Sequence, residues 1–264
     1  MDFSTIIFFV ATIAALLASF AIEGGKITAL VSLSPAIIVI GGTIGAVLVS
    51  YPLKDIKSIG KVFKVVLNPP KINLADRIIF FRDLSYKTRK NGLLTIESEV
   101  LANDDIDPFL KKGLQLVVDG VEPATIQSVL EMEVEMMSER HVKGSAMFES
   151  AGGYAPTMGI IGTVMSLVNV LGGLGGDSSD LGPKVATAFI ATLYGISTAN
   201  LFWLPIGNRL KVIHEEEYNE KSLLIEGIIL IQTGTNPNTI VEKLKGFLNK
   251  KEIGQFESQN KGIE

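Results

Sequence analysis

Four residues in otherwise apolar surroundings have types and spacing that bear on chemistry: Pro156, Thr163, Thr192 and Pro205. A proline inside a helix removes one backbone donor and leaves a carbonyl about one turn earlier without its partner. At membrane depth such a carbonyl, like a threonine hydroxyl, is an oxygen ligand of the kind that coordinates Na⁺ or a hydrated proton. A threonine in lipid can also bond its own helix backbone, so each hydroxyl taken singly fits either use.

The stretches that hold these residues carry no charge. Phe3–Ile22, Val31–Tyr51, Ala151–Leu174 and Val185–Ile206 contain no Asp, Glu, Lys, Arg or His. Coupling ion flow to work requires a titratable or anionic group inside the membrane. If these oxygens line an ion path, the carboxylate must therefore come from a second chain. Other chemistry is poorly provided for. Cysteine is absent, His141 and His214 stand far apart among charged residues, and no HExxH, GxSxG or phosphate-binding glycine loop occurs. No metal site and no cofactor is expected beyond a transported ion. The formal net charge of −4 argues against nucleic acid as a partner.

Small and polar residues follow helical spacing. Gly159, Gly162, Thr163, Ser166, Asn169 and Gly173 recur three and four apart, and so do Thr187, Ala191, Thr198 and Pro205, with Thr192, Gly195 and Ala199 on the adjoining edge. Two such stripes suit either close helix packing or a polar path.

The elements that must carry these stripes are membrane helices. Hydrophobic residues make up 47% of the 264-residue chain, and mean hydropathy is +0.36, too apolar for an ordinary soluble domain. Each of the four uncharged stretches has the roughly 20 residues a span requires. The first lacks a basic leader and opens with Asp2, which reads as an uncleaved span. The links Glu23–Leu30 and Gly175–Lys184 are nearly free of cations, whereas Pro52–Ser150 is rich in them, with Lys54, Lys57, Lys61 and Lys64 directly after the second span. The positive-inside rule makes the long link cytoplasmic, and four spans then put both termini there too. The glycine run Gly172–Gly176 reads as an extracytoplasmic turn.

The expected fold is all-α: a polytopic membrane protein with four transmembrane helices and a helical cytoplasmic domain inserted between helices 2 and 3. The divisions are transmembrane helices at 1–22, 31–52, 151–174 and 183–208, the cytoplasmic domain at 53–150, and cytoplasmic helices with a tail at 209–264. Within these, Asn73 caps a helix that Gly92 stops, and Pro108 and Pro123 open two more. Helix continues to about Thr233, Asn236 and Pro237 open another, and the tail from Gly254 is expected to be disordered.

The segment Ala155-Pro156-Thr157-Met158-Gly159-Ile160-Ile161-Gly162-Thr163-Val164, followed by Thr192-Leu193-Tyr194-Gly195 and Pro205-Ile206, closely resembles the MotA/PomA family of flagellar stator subunits. The order of two spans, large helical insert, two spans and tail matches along nearly the whole chain. The related ExbB/TolQ energisers of outer-membrane systems normally have one span before the insert, so the N-terminal pair favours MotA. The resemblance implies a ring of five such chains around two copies of a MotB/PomB-type single-span subunit that supplies an essential Asp. It also implies that ion transit past that Asp turns the ring, and that the insert acts on the rotor protein FliG. On this resemblance Pro156 and Pro205 are the family's proline pair, and Arg89 and Glu97, either side of Gly92, are its charged rotor-facing residues. Sodium-type members resemble this chain in having Thr at position 163, whereas proton-type members usually have Ala. The ion pathway expected is thus Thr163, Thr192, Pro156, Gly159 and Pro205, with Na⁺ favoured over H⁺, in the bacterial inner membrane.

Overall fold

The computed structural model describes residues 3–102, 106–173 and 181–260. All regular structure among them is helical, and no strand occurs. Three helices are long and apolar enough to cross a membrane by length and composition: Leu33–Ser50, Pro123–Gly172 and Leu181–Gln232. A further 20-residue helix, Phe3–Ile22, is apolar over Ile7–Ile22. The expected glycine-rich link falls largely on residues 174–180, outside the described residues. The chain forms two compact units. One comprises residues 1–70 and 140–213, the other 71–139 and 214–264.

The first unit holds the apolar helices, whose outward side chains are unusual for a water-facing surface. Phe8, Val31, Leu33, Val49, Val168 and Phe189 are all more than 60% exposed. Large apolar side chains left exposed in that number mark contact with lipid or another chain. Two of the apolar helices contain π segments, Ile37–Gly41 and Ala199–Trp203. After Ser50 the chain turns at Pro52 into two short helices, Leu53–Ile56 and Ile59–Leu67. The second of these packs Val66 on Phe148, Ile206 and Leu210.

The second unit has a conventional apolar core. Leu74–Asn91, Pro108–Val118, Pro237–Leu244 and the outer parts of the two longest helices bury Ile78, Phe81, Leu114, Leu130, Leu224 and Ile228. Contact is closest at Gly227, where an added Cβ would lie 2.3 Å from the Phe81 ring. The boundaries follow the expected caps. The Asn73 side chain accepts from the backbone N–H of Ala75 and Asp76, and Asn236 accepts from Asn238. Gly92, at φ +83°, ends the Leu74–Asn91 helix in a conformation that disfavours a side chain.

One expectation is overturned. The tail is not disordered from Gly254, because Lys250–Asn260 is a helix. Asn249 Oδ1 accepts from the N–H groups of Lys251 and Glu252, while Glu252 Oε2 accepts from Asn249 N at 2.8 Å. This reciprocal cap satisfies the free end of the helix, and Phe256, 4% exposed, anchors it in the core.

Two neighbouring buried charges each meet a partner distant in sequence. Glu220 accepts from Arg77 at 2.8 Å, and Lys221 donates to Asp107 at 2.9 Å while lying 5.0 Å from the centroid of the Phe109 ring. Asp107 also caps Pro108–Val118 by accepting from Phe109 and Leu110. Burial pushes the Asp107 carboxyl upward, but the Lys221 hydrogen bond and charge and the two backbone donors outweigh it, so the group lies below its ordinary 3.8. Its folded-state value being depressed, Asp107 contributes stability that is complete above about pH 4 and is lost as pH falls through the folded value. Asp107→Asn keeps the cap but leaves Lys221 without its counter-charge. It should lower unfolding free energy by about 2 kcal/mol at pH 7. In thermal melts followed by circular dichroism, the deficit should shrink as pH falls below 3.8 and close below the depressed folded-state value, where the folded wild type loses the same charge.

Candidate functional site

The helices Pro123–Gly172 and Leu181–Gln232 meet through glycine in the first unit. A Cβ on Gly195 would lie 2.6 Å from the Ala155 carbonyl oxygen and 3.0 Å from Gly159 Cα. One on Gly159 would lie 2.9 Å from the Ala191 oxygen, and one on Gly162 2.9 Å from Ala191 Cβ. Real side chains do not approach backbone so closely, so Gly159 and Gly195 permit a contact that any other residue would push apart. The packing use of the small-residue stripe is thus realised.

That approach also brings polar atoms together. Thr163 Oγ1 is 2.6 Å from Thr192 Oγ1, 2.9 Å from the Ala188 carbonyl oxygen and 3.0 Å from the Gly159 carbonyl oxygen. Four oxygens gather there, and the two hydroxyls supply only two protons. Whichever hydroxyl donates to the other, lone pairs remain, and the cluster is half-buried. Chemically it is an acceptor-rich site suited to a desolvated cation or to relaying a proton, without a charge of its own. Among the described residues there is no group of three His, Cys, Asp or Glu that could hold a metal ion.

The prolines lie apart from this cluster. Pro156 is half-buried inside its helix, seven residues or about 10 Å along the axis from Thr163. It has no N–H for the Gly152 carbonyl. Pro205 is exposed and stands thirteen residues, about 20 Å, from Thr192. Its missing donor concerns the Leu201 carbonyl, inside the π segment Ala199–Trp203. Thr163, Thr192 and Gly159 therefore form one local site, while Pro156 and Pro205 loosen their helices in other turns.

Sequence reasoning quoted Tyr194 but gave it no role. Its hydroxyl donates to the Leu30 carbonyl at 2.6 Å and accepts from Ser32 N at 3.1 Å, tying the start of the Leu33–Ser50 helix to the turn that bears Thr192. Tyr51 makes a similar tie, donating to the Ala146 carbonyl at 3.0 Å beside Ser150 Oγ at 2.7 Å. A tyrosine amid apolar residues, with its hydroxyl needing a partner, is the signal that could have found both.

Arg89 and Glu97 occupy the second unit. Arg89 is exposed in the last turn of Leu74–Asn91, and Glu97 is exposed at the start of the π segment Glu97–Leu101. The connection between them is held by Gly92 and by Ile96, which is fully buried. Lys90 is exposed beside Arg89.

Two family models match the chain: Motility protein A N-terminal over residues 6–92, and the MotA/TolQ/ExbB proton channel family over residues 101–222. Motility protein A of Bacillus subtilis is 34% identical over 260 residues, 98% of this chain and 95% of that one. Chemotaxis protein PomA of Vibrio alginolyticus is 32% identical over 231 residues, 86% of this chain and 88% of that one. A chain in the structure of the flagellar MotAB stator complex from Bacillus subtilis matches with a TM-score of 0.89 at 33% identity, covering 97% of this chain and 98% of that one. Similarity of that extent in both sequence and fold, with its membrane helices meeting at Gly159 and Gly195, means that the protein belongs to the MotA/PomA family of flagellar stator subunits.

Proposed function

We propose that this stator subunit conducts Na⁺ past a carboxylate supplied by a MotB/PomB-type partner, with Thr163 and Thr192 as oxygen ligands on the way. The observation that carries this reading is the 2.6 Å pairing of the two hydroxyls beside two carbonyl oxygens, in helices that hold no acid of their own. A proton moving to a carboxylate needs no oxygen cage, whereas Na⁺ stripped of water does. Pro156, Gly159 and Pro205 serve the same path by shaping and loosening its helices.

In this reading the chain crosses the bacterial cytoplasmic membrane four times, at 1–22, 31–52, 151–174 and 183–208. Residues 53–150 and 209–264 are cytoplasmic, and so are both termini. The exposed Lys54, Lys57, Lys61 and Lys64 favour this orientation. Five copies surround two copies of the partner, and the ring acts on FliG through Arg89 and Glu97. The exposure of both residues on either side of the Gly92 turn supports that role. The match of residues 6–92 to the motility-protein N-terminal model favours the stator reading over an ExbB/TolQ-like energiser. The subunit is a channel and torque component, not an enzyme.

The test is swimming speed of a stator-null host carrying this chain and its cognate partner, with Na⁺ titrated at fixed pH and membrane potential. Speed should rise and saturate with Na⁺; indifference to Na⁺ with collapse under a protonophore would make the ion H⁺. Thr163→Ala should raise the half-saturating Na⁺ concentration about tenfold, the worth of one hydroxyl contact of about 1.4 kcal/mol, while Thr163→Ser stays close to wild type. Equal membrane levels of all three chains, measured by immunoblot, separate this from misfolding. Arg89→Glu should cut torque on tethered cells severalfold with the assembled complex still recovered on purification. Loss of the complex itself would give Arg89 a structural role.

A further inference from the structure

A cavity of about 250 Å³ lies in the first unit, lined by apolar side chains that include Val47, Leu48, Ile56, Ile59 and Trp203, with Thr43 at its far end. Leu48 is 46% exposed and Ile44, also on its wall, 44% exposed, so the cavity reaches the outer surface of the helices. At roughly 30 Å³ for a water-sized group, it has room for about eight chain methylenes. Among its lining side chains only two carry an N or O atom, Trp203 through its indole N–H and Thr43 through its hydroxyl. That hydroxyl is buried and has no hydrogen-bond partner among the described residues. The Val39 carbonyl, the acceptor a helical threonine ordinarily uses, lies in the π segment Ile37–Gly41.

Cations outnumber acids in the segment at the mouth. Ile56 and Ile59, on the wall, flank Lys57, and residues 53–67 carry Lys54, Lys57, Lys61 and Lys64, all exposed, against the single acid Asp55. Aromatic rings gather at the same level: Trp203 lies 4.9 Å from Phe202 and 6.2 Å from Phe148, and Phe202 lies 6.2 Å from Phe63. An apolar slot capped by aromatic rings and lysines matches the layering of a phospholipid at the hydrocarbon boundary.

We propose that this cavity takes one acyl chain of an anionic phospholipid, whose phosphate lies against Lys57 and Lys61. The inference rests on the membrane orientation proposed above, which puts these lysines at the cytoplasmic leaflet, but not on the choice of ion. Thr43 lies seven residues, about 10 Å along the axis, from the helix end at Ser50. An acyl chain entering from the lysine end presents only methylenes at that depth, so the Thr43 hydroxyl makes no contact with the lipid's polar groups.

The experiment uses the chain purified with its partner subunit in mild detergent, with phosphatidylglycerol and phosphatidylcholine of identical chains as probes and native mass spectrometry as readout. Phosphatidylglycerol should be retained at about one per chain and be displaced poorly by phosphatidylcholine. Each of Lys57→Gln and Lys61→Gln should weaken phosphatidylglycerol about fivefold, leaving phosphatidylcholine unchanged. Leu48→Trp, at a half-exposed position that tolerates bulk, should abolish retention of both lipids. Thr43→Val, which exchanges the hydroxyl for a methyl, should leave retention equal or tighter. Equal retention of both lipids, unaffected by the lysine changes, would overturn the site. A loss of retention in Thr43→Val would also overturn it, because the occupant would then present a polar group at depth. Failure of the stator reading would appear separately, as absent motility with lipid retention intact.

Discussion

Where Gly159 meets Gly195, two helices approach so closely that one added carbon would sit 2.6 Å from a backbone oxygen. Lipid removes the hydrophobic drive for helices to associate, because the surroundings are as apolar as the side chains. Close backbone packing and a few polar contacts must supply the attraction instead. The glycine seam does the first, and by doing so it sets the second. Only at that separation can Thr163 reach across to the Ala188 carbonyl and to Thr192. The oxygen cluster is thus a consequence of the seam.

Backbone groups in apolar surroundings must also be satisfied within the protein. The first unit departs from regular α-helix where this is hardest. Pro205 lies just after the π segment Ala199–Trp203. A wider turn shifts the hydrogen-bond register beside a residue that cannot donate. Tyr194 and Tyr51 act at a larger scale, each reaching a main-chain oxygen in a segment distant in sequence.

The second unit is held by ordinary means: an apolar core, capped helix ends and two buried ion pairs. Glu220 and Lys221 are adjacent, opposite in charge and nearly inaccessible, and each is neutralised from a different part of the chain. Burying charge in this way is weak evidence of net stability, but removing either partner is costly, so the pairs specify one arrangement of their helices. The exposed Arg89 and Glu97 are carried on a frame whose geometry is set by these contacts, by Gly92 and by Ile96.

Much of this was legible without coordinates, for identifiable reasons. The caps at Asn73 and Asn236 are local events, decided by residues within a turn or two of one another, and they appear where the sequence places them. Absence of an acid in the apolar stretches is likewise a property of the chain alone. The Lys250–Asn260 helix was missed because its polar sequence looks unable to bury anything, although Asn249 and Glu252 signal the cap and Phe256 the anchor. Tertiary structure alone decided what depends on distance between remote segments. It joined Thr163 to Thr192 and to the Ala188 carbonyl. It tied Tyr194 to Leu30, and it resolved the small-residue stripe as both a packing seam and a polar site. Helical periodicity assigns a residue to a face, but which face meets which, and how closely, is settled by side-chain volume on both sides of the contact.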